Sequence, residues 1–313
     1  MQKINIVVAM IAVVTLINCG DKALDSSSNM DDIVTLEFRD YQYLRYKYFF
    51  LDDFYRVNLS DFHQVALGPQ IPSEFAIDPN TLAVYTSESD SESNAQSREG
   101  VAWVNVDEPI IEQRGGVERG TWTQLDANDD YVLVAESGYI ILNRPLQEEH
   151  ALAVSYRTQE GRQIGNIQDD TLKLELIKAK DPRPPFPTWN LEWKNVYQIV
   201  PDSLQGPQGL GFDRTAIDVQ ILKEVPDEAP TAFQGNESFL QIFGLDLDNP
   251  PDQHIDADYI GLDELQGVLI FPDLTPFAPQ HPIYRKLQDE VPEIYYQQED
   301  MMAVSRYIIR IQY

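Results

Sequence analysis

The sequence is poor in cysteine, with a single residue, Cys19, in 313. No disulfide can form within the chain, so folding has to rely on the burial of apolar side chains, and the 43% hydrophobic content permits such a core. Zinc sites built from cysteine pairs are excluded for the same reason. If Cys19 is modified, no thiol nucleophile remains either.

Basic residues are also scarce, because 23 lysines and arginines face 51 acidic residues and give a net charge of −28. Such a surface repels phosphate backbones and anionic headgroups, so nucleic acid is not expected as a partner. The excess of acid favours solubility. A surface for cations or basic partners is the alternative interpretation.

Catalytic motifs are missing from the sequence. The four histidines do not form a pair of the HExxH type, and the chain has no G-x-S-x-G elbow and no phosphate-binding glycine loop. We therefore expect a protein that is not an enzyme and uses no organic cofactor. The histidines are His63, His150, His254 and His281.

The N-terminus has the features of an export signal. Lys3 precedes an almost unbroken apolar run from Ile4 to Ile17, which suits a signal peptide and is shorter than the roughly 20 residues of a membrane span. The run ends in Leu16-Ile17-Asn18-Cys19-Gly20, which looks like a bacterial lipobox with Cys19 as the lipidated residue. Ordinary signal cleavage near this point and a retained membrane anchor are the alternatives.

The remaining chain is predicted to fall into a tether and two β domains. Residues 1–19 form the signal peptide and lipobox, and the Ser-rich residues 20–33 form a flexible tether. A first β domain is expected over 34–168, with a module at 118–168, and a second β-rich domain over 169–313. The acidic stretch Thr86–Gly100 is predicted as a loop between strands.

Alternating apolar residues and regularly spaced turns predict many short strands. The fold class expected is mainly β, with tandem antiparallel β-sandwich-like modules and few short helices. Ile283–Glu290 is the helix candidate. Strands are expected at Thr121–Leu125, Tyr131–Val134, Tyr139–Leu142, Ala151–Tyr156, Leu172–Leu176, Trp189–Trp193, Ala216–Leu222, Phe239–Phe243, Gly267–Phe271 and Tyr307–Tyr313.

The segment LDLDNPPDQHIDADY offers a candidate cation site, because its carboxylates are the oxygen ligands that Ca²⁺ uses. The segment fails as an EF-hand, since prolines and an alanine occupy required positions. A calcium site of another type and an acidic surface loop are both open. The candidate ligands are Asp246, Asp248, Asp252, Asp256 and Asp258.

Four segments carry a family resemblance. The first is GTWTQLDANDDYVLVAESGYIILNRPLQEEHALAVSYRTQEGRQIGNI (Gly120–Ile167), and the others are PTWNLEWKNVYQI, LQIFGLDLDN and GVLIFPDLTPFAP, which begin at Pro187, Leu240 and Gly267. The spacing of their residues and their order along the chain resemble modules of the SprA family, which are very large outer-membrane proteins of gliding motility and type IX secretion. The four segments lie within a span of about half the chain.

The resemblance implies a non-enzymatic role in a secretion or gliding-motility assembly. Other envelope or secretion proteins would be the partners, with attachment to the membrane through the N-terminal lipid. The expected location is the cell envelope, associated with the outer membrane and facing the periplasm or the surface. One alternative is a surface glycan- or ligand-binding lipoprotein, in which Trp103, Trp122, Trp189 and Trp193 line a sugar cleft. Another is a fragment that contributes strands to an outer-membrane barrel.

Overall fold

The structure is a computed structural model that describes ten stretches of the chain. The predicted signal peptide and lipobox (1–19), the predicted tether and the helix predicted at Ile283–Glu290 lie outside the described residues. The described residues are 35–58, 71–72, 75–87, 97–109, 114–127, 129–199, 217–256, 260–261, 267–278 and 305–312.

The described part of the chain is mainly β, as the sequence predicts, with antiparallel sheets and two short α-helices. The helices are α1 (Asp53–Asn58) and α2 (Phe239–Ile242), and 3-10 turns occur at Pro79–Thr81 and Pro187–Leu191. The strands are β1 (Thr35–Arg39), β2 (Tyr48–Phe50), β3 (Ala83–Thr86), β4 (Ser97–Trp103), β5 (Val117–Gln124), β6 (Tyr131–Val134), β7 (Tyr139–Leu142), β8 (Leu152–Arg157), β9 (Gln163–Ile164), β10 (Leu172–Lys178), β11 (Val196–Gln198), β12 (Asp218–Lys223), β13 (Phe233–Gln234), β14 (Glu237–Ser238), β15 (Ile260–Gly261), β16 (Val268–Ile270) and β17 (Tyr307–Gln312).

Five strands form a sheet that closes on itself. The sheet order is β10-β4-β5-β3-β8-β9, and β8 also pairs with β10, which completes the ring. Only β10 and β4 run parallel among these neighbours. Each strand of the ring contributes to one buried cluster in which Trp122 lies among small and aliphatic side chains: Ala83, Tyr85, Ala102, Ala151, Ala153, Leu172, Leu174, Leu176 and Ala179.

Gly100 on β4 makes room for this interior. A Cβ at position 100 would lie 2.7 Å from the Cβ of Leu172 and 2.9 Å from Cδ1 of Trp122. Both separations are shorter than van der Waals contact, so any side chain at Gly100 would separate β4 from β10 or displace the indole. The small side chains of Ala151, Ala153 and Ser155 are also buried in the structure.

A smaller antiparallel sheet, β2-β7-β6, packs on the side of the closed sheet that faces away from its interior. Leu152 and Val154 of β8 point into this second cluster, where aromatic residues dominate. The Trp193 ring lies 4.6 Å from Tyr139 and 5.2 Å from Phe50, centroid to centroid. Burial of these side chains holds the two sheets together as a sandwich-like unit.

A third cluster is formed by the sheets β1-β17-β12 and β11-β16-β15 together with α2. Asp40, directly after β1, fixes the start of β17. Its Oδ2 accepts hydrogen bonds from the backbone N–H of Arg306 at 2.9 Å and of Tyr307 at 3.0 Å. Strand pairing crosses the boundary expected near residue 168 in both directions, because β1 joins β17 while β10 joins β4 and β8.

Three local expectations were wrong. Trp189–Trp193 is not a strand, since a 3-10 turn at Pro187–Leu191 begins with a proline whose fixed φ suits a helical first position. Phe239–Phe243 instead contains α2, which Ser238 and Gln241 begin with a reciprocal capping box. β4 begins at Ser97, inside the predicted loop Thr86–Gly100, through antiparallel pairing with β5.

Within the described residues, no helix is both long and apolar enough to cross a membrane.

Candidate functional site

Cys19, the predicted lipidation site, lies outside the described residues, so its modification stays a prediction. The described chain begins at β1, where Thr35 pairs with Gln312 of β17. The predicted tether would therefore join the folded body at an edge strand of the β1-β17-β12 sheet.

The predicted cation site falls in a tight acidic loop in which the carboxylates accept backbone hydrogen bonds. Asp246 is buried, and its Oδ2 accepts from the N–H of Gln253 at 3.0 Å. Asp256 Oδ2 accepts from Leu247 N–H at 2.9 Å. Partial burial, followed by the charges of neighbouring aspartates, raises the pKa of Asp256.

These contacts define a loop that closes on itself through its own side chains. Asp252 takes part as well, since its Oδ1 accepts from His254 N–H at 2.9 Å. Among the described residues, no three His, Cys, Asp or Glu side chains converge on a point that could hold a metal ion. Asp248 lies in the same loop and Asp258 lies outside the described residues, so calcium binding stays a prediction.

The four tryptophans do not meet at a common surface. Trp122, Trp189 and Trp193 are buried in three different hydrophobic clusters, and Trp103 is only partly exposed. The Trp189 ring lies 4.5 Å beneath the Lys194 ammonium. The three buried rings pack the core and cannot line a sugar cleft.

Glu192 and Lys194 form a buried charged pair that the sequence pattern did not indicate. The Oε1 of Glu192 accepts from the N–H of Tyr46 at 2.6 Å, and its Oε2 lies 3.8 Å from Lys194 Nζ. Lys194 also donates to the carbonyls of Trp189 and Glu192, at 2.5 and 3.2 Å. Tyr46 has a φ of +60°, a strained conformation for a non-glycine residue, and the Glu192 contact stabilises it.

Lys178 forms a second buried contact of this kind. Its ammonium donates to the carbonyls of Gln147, Glu148 and His150, the second at 2.9 Å, and lies 4.7 Å above the Tyr46 ring. Burial lowers the pKa of Lys178 to about 8. The geometry is that of a structural clamp on the segment between β7 and β8, because the ammonium donates to backbone oxygens of that segment.

Glu175 is a further buried ionisable group, although it alternates in sequence with the leucines of β10 as a solvent-facing residue would. It is 6% exposed, on β10, and its Oε2 accepts from the N–H of Val106 at 2.8 Å. Burial raises the pKa of Glu175 to about 8. The alternation of β10 could not reveal this, since the face opposite the leucines is covered by other parts of the chain.

The four segments that resemble SprA modules lie against one another. Strand β11 pairs with β16, which joins the second and fourth segments. The ring centroids of Trp193 and Tyr139 lie 4.6 Å apart, which joins the second segment to the first. Those of Phe243 and Phe271 lie 5.9 Å apart, which joins the third segment to the fourth. The four segments therefore share one continuous packed body.

Comparison with known proteins adds no relative: no protein-family model matches the chain, and no curated protein matches it.

Proposed function

We propose that this protein is a lipid-tethered, non-enzymatic component of the cell envelope that binds other proteins of a secretion or gliding-motility assembly resembling part of SprA. The observation that carries the proposal is the packing of the four resembling segments into one body through β11–β16 pairing and two aromatic contacts. Segments that keep a family's order and also pack against one another are better explained as parts of one module than as unrelated sequence patterns.

The second support is the position of Cys19. It is the only cysteine of the chain and ends an apolar run with lipobox spacing. The chain between it and β1 is polar and Ser-rich, as a spacer between a lipid and a folded body would be. One acyl chain gives only marginal membrane binding, so stable attachment requires the several chains of a lipoprotein anchor or contacts with partners.

The anchor is tested by metabolic labelling with a palmitate analogue in a bacterium that processes lipoproteins. The wild-type chain should take up the label, and Cys19→Ala should not. Cys19→Ala should still be made at a similar level, because the described fold does not contain Cys19. If the wild-type chain is exported without taking up the label, lipidation of Cys19 is refuted and ordinary signal cleavage becomes the explanation of the N-terminal sequence.

The assembly role is tested by cross-linking in envelope fractions, followed by identification of the captured proteins. Secretion or gliding components should be recovered with the wild-type chain, and an acidic lipoprotein of similar size is the matched control. Specific binding on a glycan array, with none of those components recovered, would overturn the proposal in favour of the glycan-binding alternative.

The two alternatives have less support. The glycan-binding alternative depends on tryptophans, of which three lie in the core. The strand-contributing alternative depends on the last strand, yet β17 pairs with β1 on one edge and β12 on the other. A central strand has no free edge for a neighbour, so β17 would have to leave its sheet first.

A further inference from the structure

A turn directly after β4 is held to the body of the protein through acidic side chains. In this turn, Asn105 Oδ1 accepts from the N–H groups of Asp107 and Glu108, both at 3.1 Å, so the Asn105 side chain closes residues 105–108 into a compact turn. Val106 in the middle of the turn donates to Glu175 Oε2 at 2.8 Å. Asp107 Oδ2 lies 2.8 Å from a guanidinium nitrogen of Arg162, in the β8–β9 turn.

Glu175 is placed where a negative charge is poorly compensated. It lies in the register of β10 opposite Val154 of β8 and Trp103 of β4, neither of which is charged. Its side chain is buried, and the one hydrogen bond that the described residues give its carboxyl is the donor from Val106. A carboxylate with so few donors is much less stable than a neutral carboxyl at the same position.

Ionisable groups from several neighbouring elements face Glu175. Asp52 comes from the junction of β2 and α1, Asp107 from the turn after β4, and Arg162 from the β8–β9 turn. Tyr156 of β8 also faces it. The 3-10 turn Pro187–Leu191, which packs on β10 as well, has no ionisable side chain.

The balance of these groups opposes ionisation of Glu175. Burial is the main cause of its raised pKa; Asp52 and Asp107 raise the pKa further, whereas Val106 N–H and Arg162 lower it. The single guanidinium is already paired with Asp107 and is more than half exposed, so it compensates a third carboxylate weakly.

We propose that Glu175 acts with Asp52, Asp107 and Arg162 as a pH-responsive latch on the turn 105–108. With a neutral Glu175, the turn stays bound against β10 through Val106. When Glu175 ionises, water must reach the carboxylate, and the turn is the element that can move away. It is held by two polar side-chain contacts and by packing of Val106 against the aromatic-rich cluster, and not by a strand ladder. The exposed surface of the turn would then change with pH while the sheets stay intact.

The latch is tested by amide hydrogen exchange at Val106 in the full chain, measured from about pH 6 to pH 9 and corrected for intrinsic exchange. Protection of the wild-type amide should fall by about tenfold or more across this range, because the open turn favours the ionised carboxyl. In Glu175→Gln, whose amide oxygen can still accept from Val106, protection should not depend on pH. Unchanged wild-type protection, or an equal fall in Glu175→Gln, would overturn the latch.

A second variant separates the latch from a merely structural role. Asp52→Asn removes one like charge from Glu175 and so lowers the closed-state pKa of Glu175. The midpoint of the exchange transition should therefore move to lower pH, and the total fall in protection should become smaller. Glu99→Gln, an exposed substitution on β4, is the matched control and should leave the midpoint unchanged. If Glu175→Gln does not fold, the comparison of wild type with Asp52→Asn still decides, and coincident midpoints would refute the proposal.

Discussion

Replacement of Gly100 by alanine tests the packing inside the closed sheet. The φ of Gly100 is outside the left-handed region, so the change adds a methyl group without backbone strain. That methyl would lie 2.7 Å from Leu172 Cβ, which is attached directly to the backbone of β10 and cannot turn away. Overpacking should cost about 1–3 kcal/mol and a weakened ladder hydrogen bond about 0.5–1.5 kcal/mol, while the lower entropy of the unfolded chain returns about 0.4–1 kcal/mol. The central values give a net loss of about 2 kcal/mol.

Urea unfolding of the purified protein measures this loss as a lower midpoint with an unchanged slope. Gly235→Ala is the control, since its φ is +62° and its Cβ would meet nothing within 4 Å, so only backbone strain of about 1 kcal/mol is expected. Adding Trp122→Phe to Gly100→Ala should give less than the sum of the two losses, because the two side chains would touch. Equal midpoints for the two alanine variants would refute the steric argument.

Three further changes address the buried ionisable groups. Burial raises the pKa of Glu175 from 4.5 in the unfolded chain to about 8 in the folded state. Between these pH values the folded state binds a proton that the unfolded state has lost. The free energy of unfolding therefore falls by about 4 kcal/mol as the pH rises through this window. Urea midpoints between about pH 5 and pH 9 should show this fall in the wild type and lose most of it in Glu175→Gln. Lys178→Met leaves the carbonyls of the clamp without their donor and should lower stability by about 3 kcal/mol, whereas Lys173→Met, at an exposed position, should be nearly neutral in the same assay. Asp40→Ala removes Oδ2, the acceptor shared by the N–H groups of Arg306 and Tyr307, and should cost about 2–4 kcal/mol. The loss should be detected as faster amide exchange at Tyr307, and Asp40→Asn should recover part of it.

Much of the strand content was predictable from alternation. The strands expected at Tyr131–Val134 and Tyr139–Leu142 match β6 and β7, and the strand expected at Leu172–Leu176 lies within β10. Side chains of a strand alternate between two faces, so one buried face leaves a period of two in the sequence whatever covers it.

The two strands predicted wrongly show where that signal fails. At Pro187–Leu191 and at α2, apolar residues recur at short intervals, but a proline or a capping residue fixes the backbone as helical. A single turn is too short for a 3.6-residue period to appear, so the cap carries the information.

The buried ionisable groups could not be predicted from the sequence. Glu175 accepts from Val106, 69 positions away, and Glu192 accepts from Tyr46, 146 positions away. An alternating Lys or Glu in a strand reads as solvent-facing until the opposite face is known to be covered. The predicted export signal, in contrast, depends only on neighbouring residues, so its prediction requires no knowledge of the fold.

The pairing of β1 with β17 places the first and the last strand of the described chain side by side. Thr35 is the register partner of Gln312, so the strand that follows the predicted tether and the strand that ends the described chain leave the body at one place. A reporter joined beyond Gln312 would therefore lie close to a segment that precedes Thr35. A short linker from Gln312 to Thr35 would suffice for a circular permutant, with new ends at the turn Gln159–Gly161 between β8 and β9.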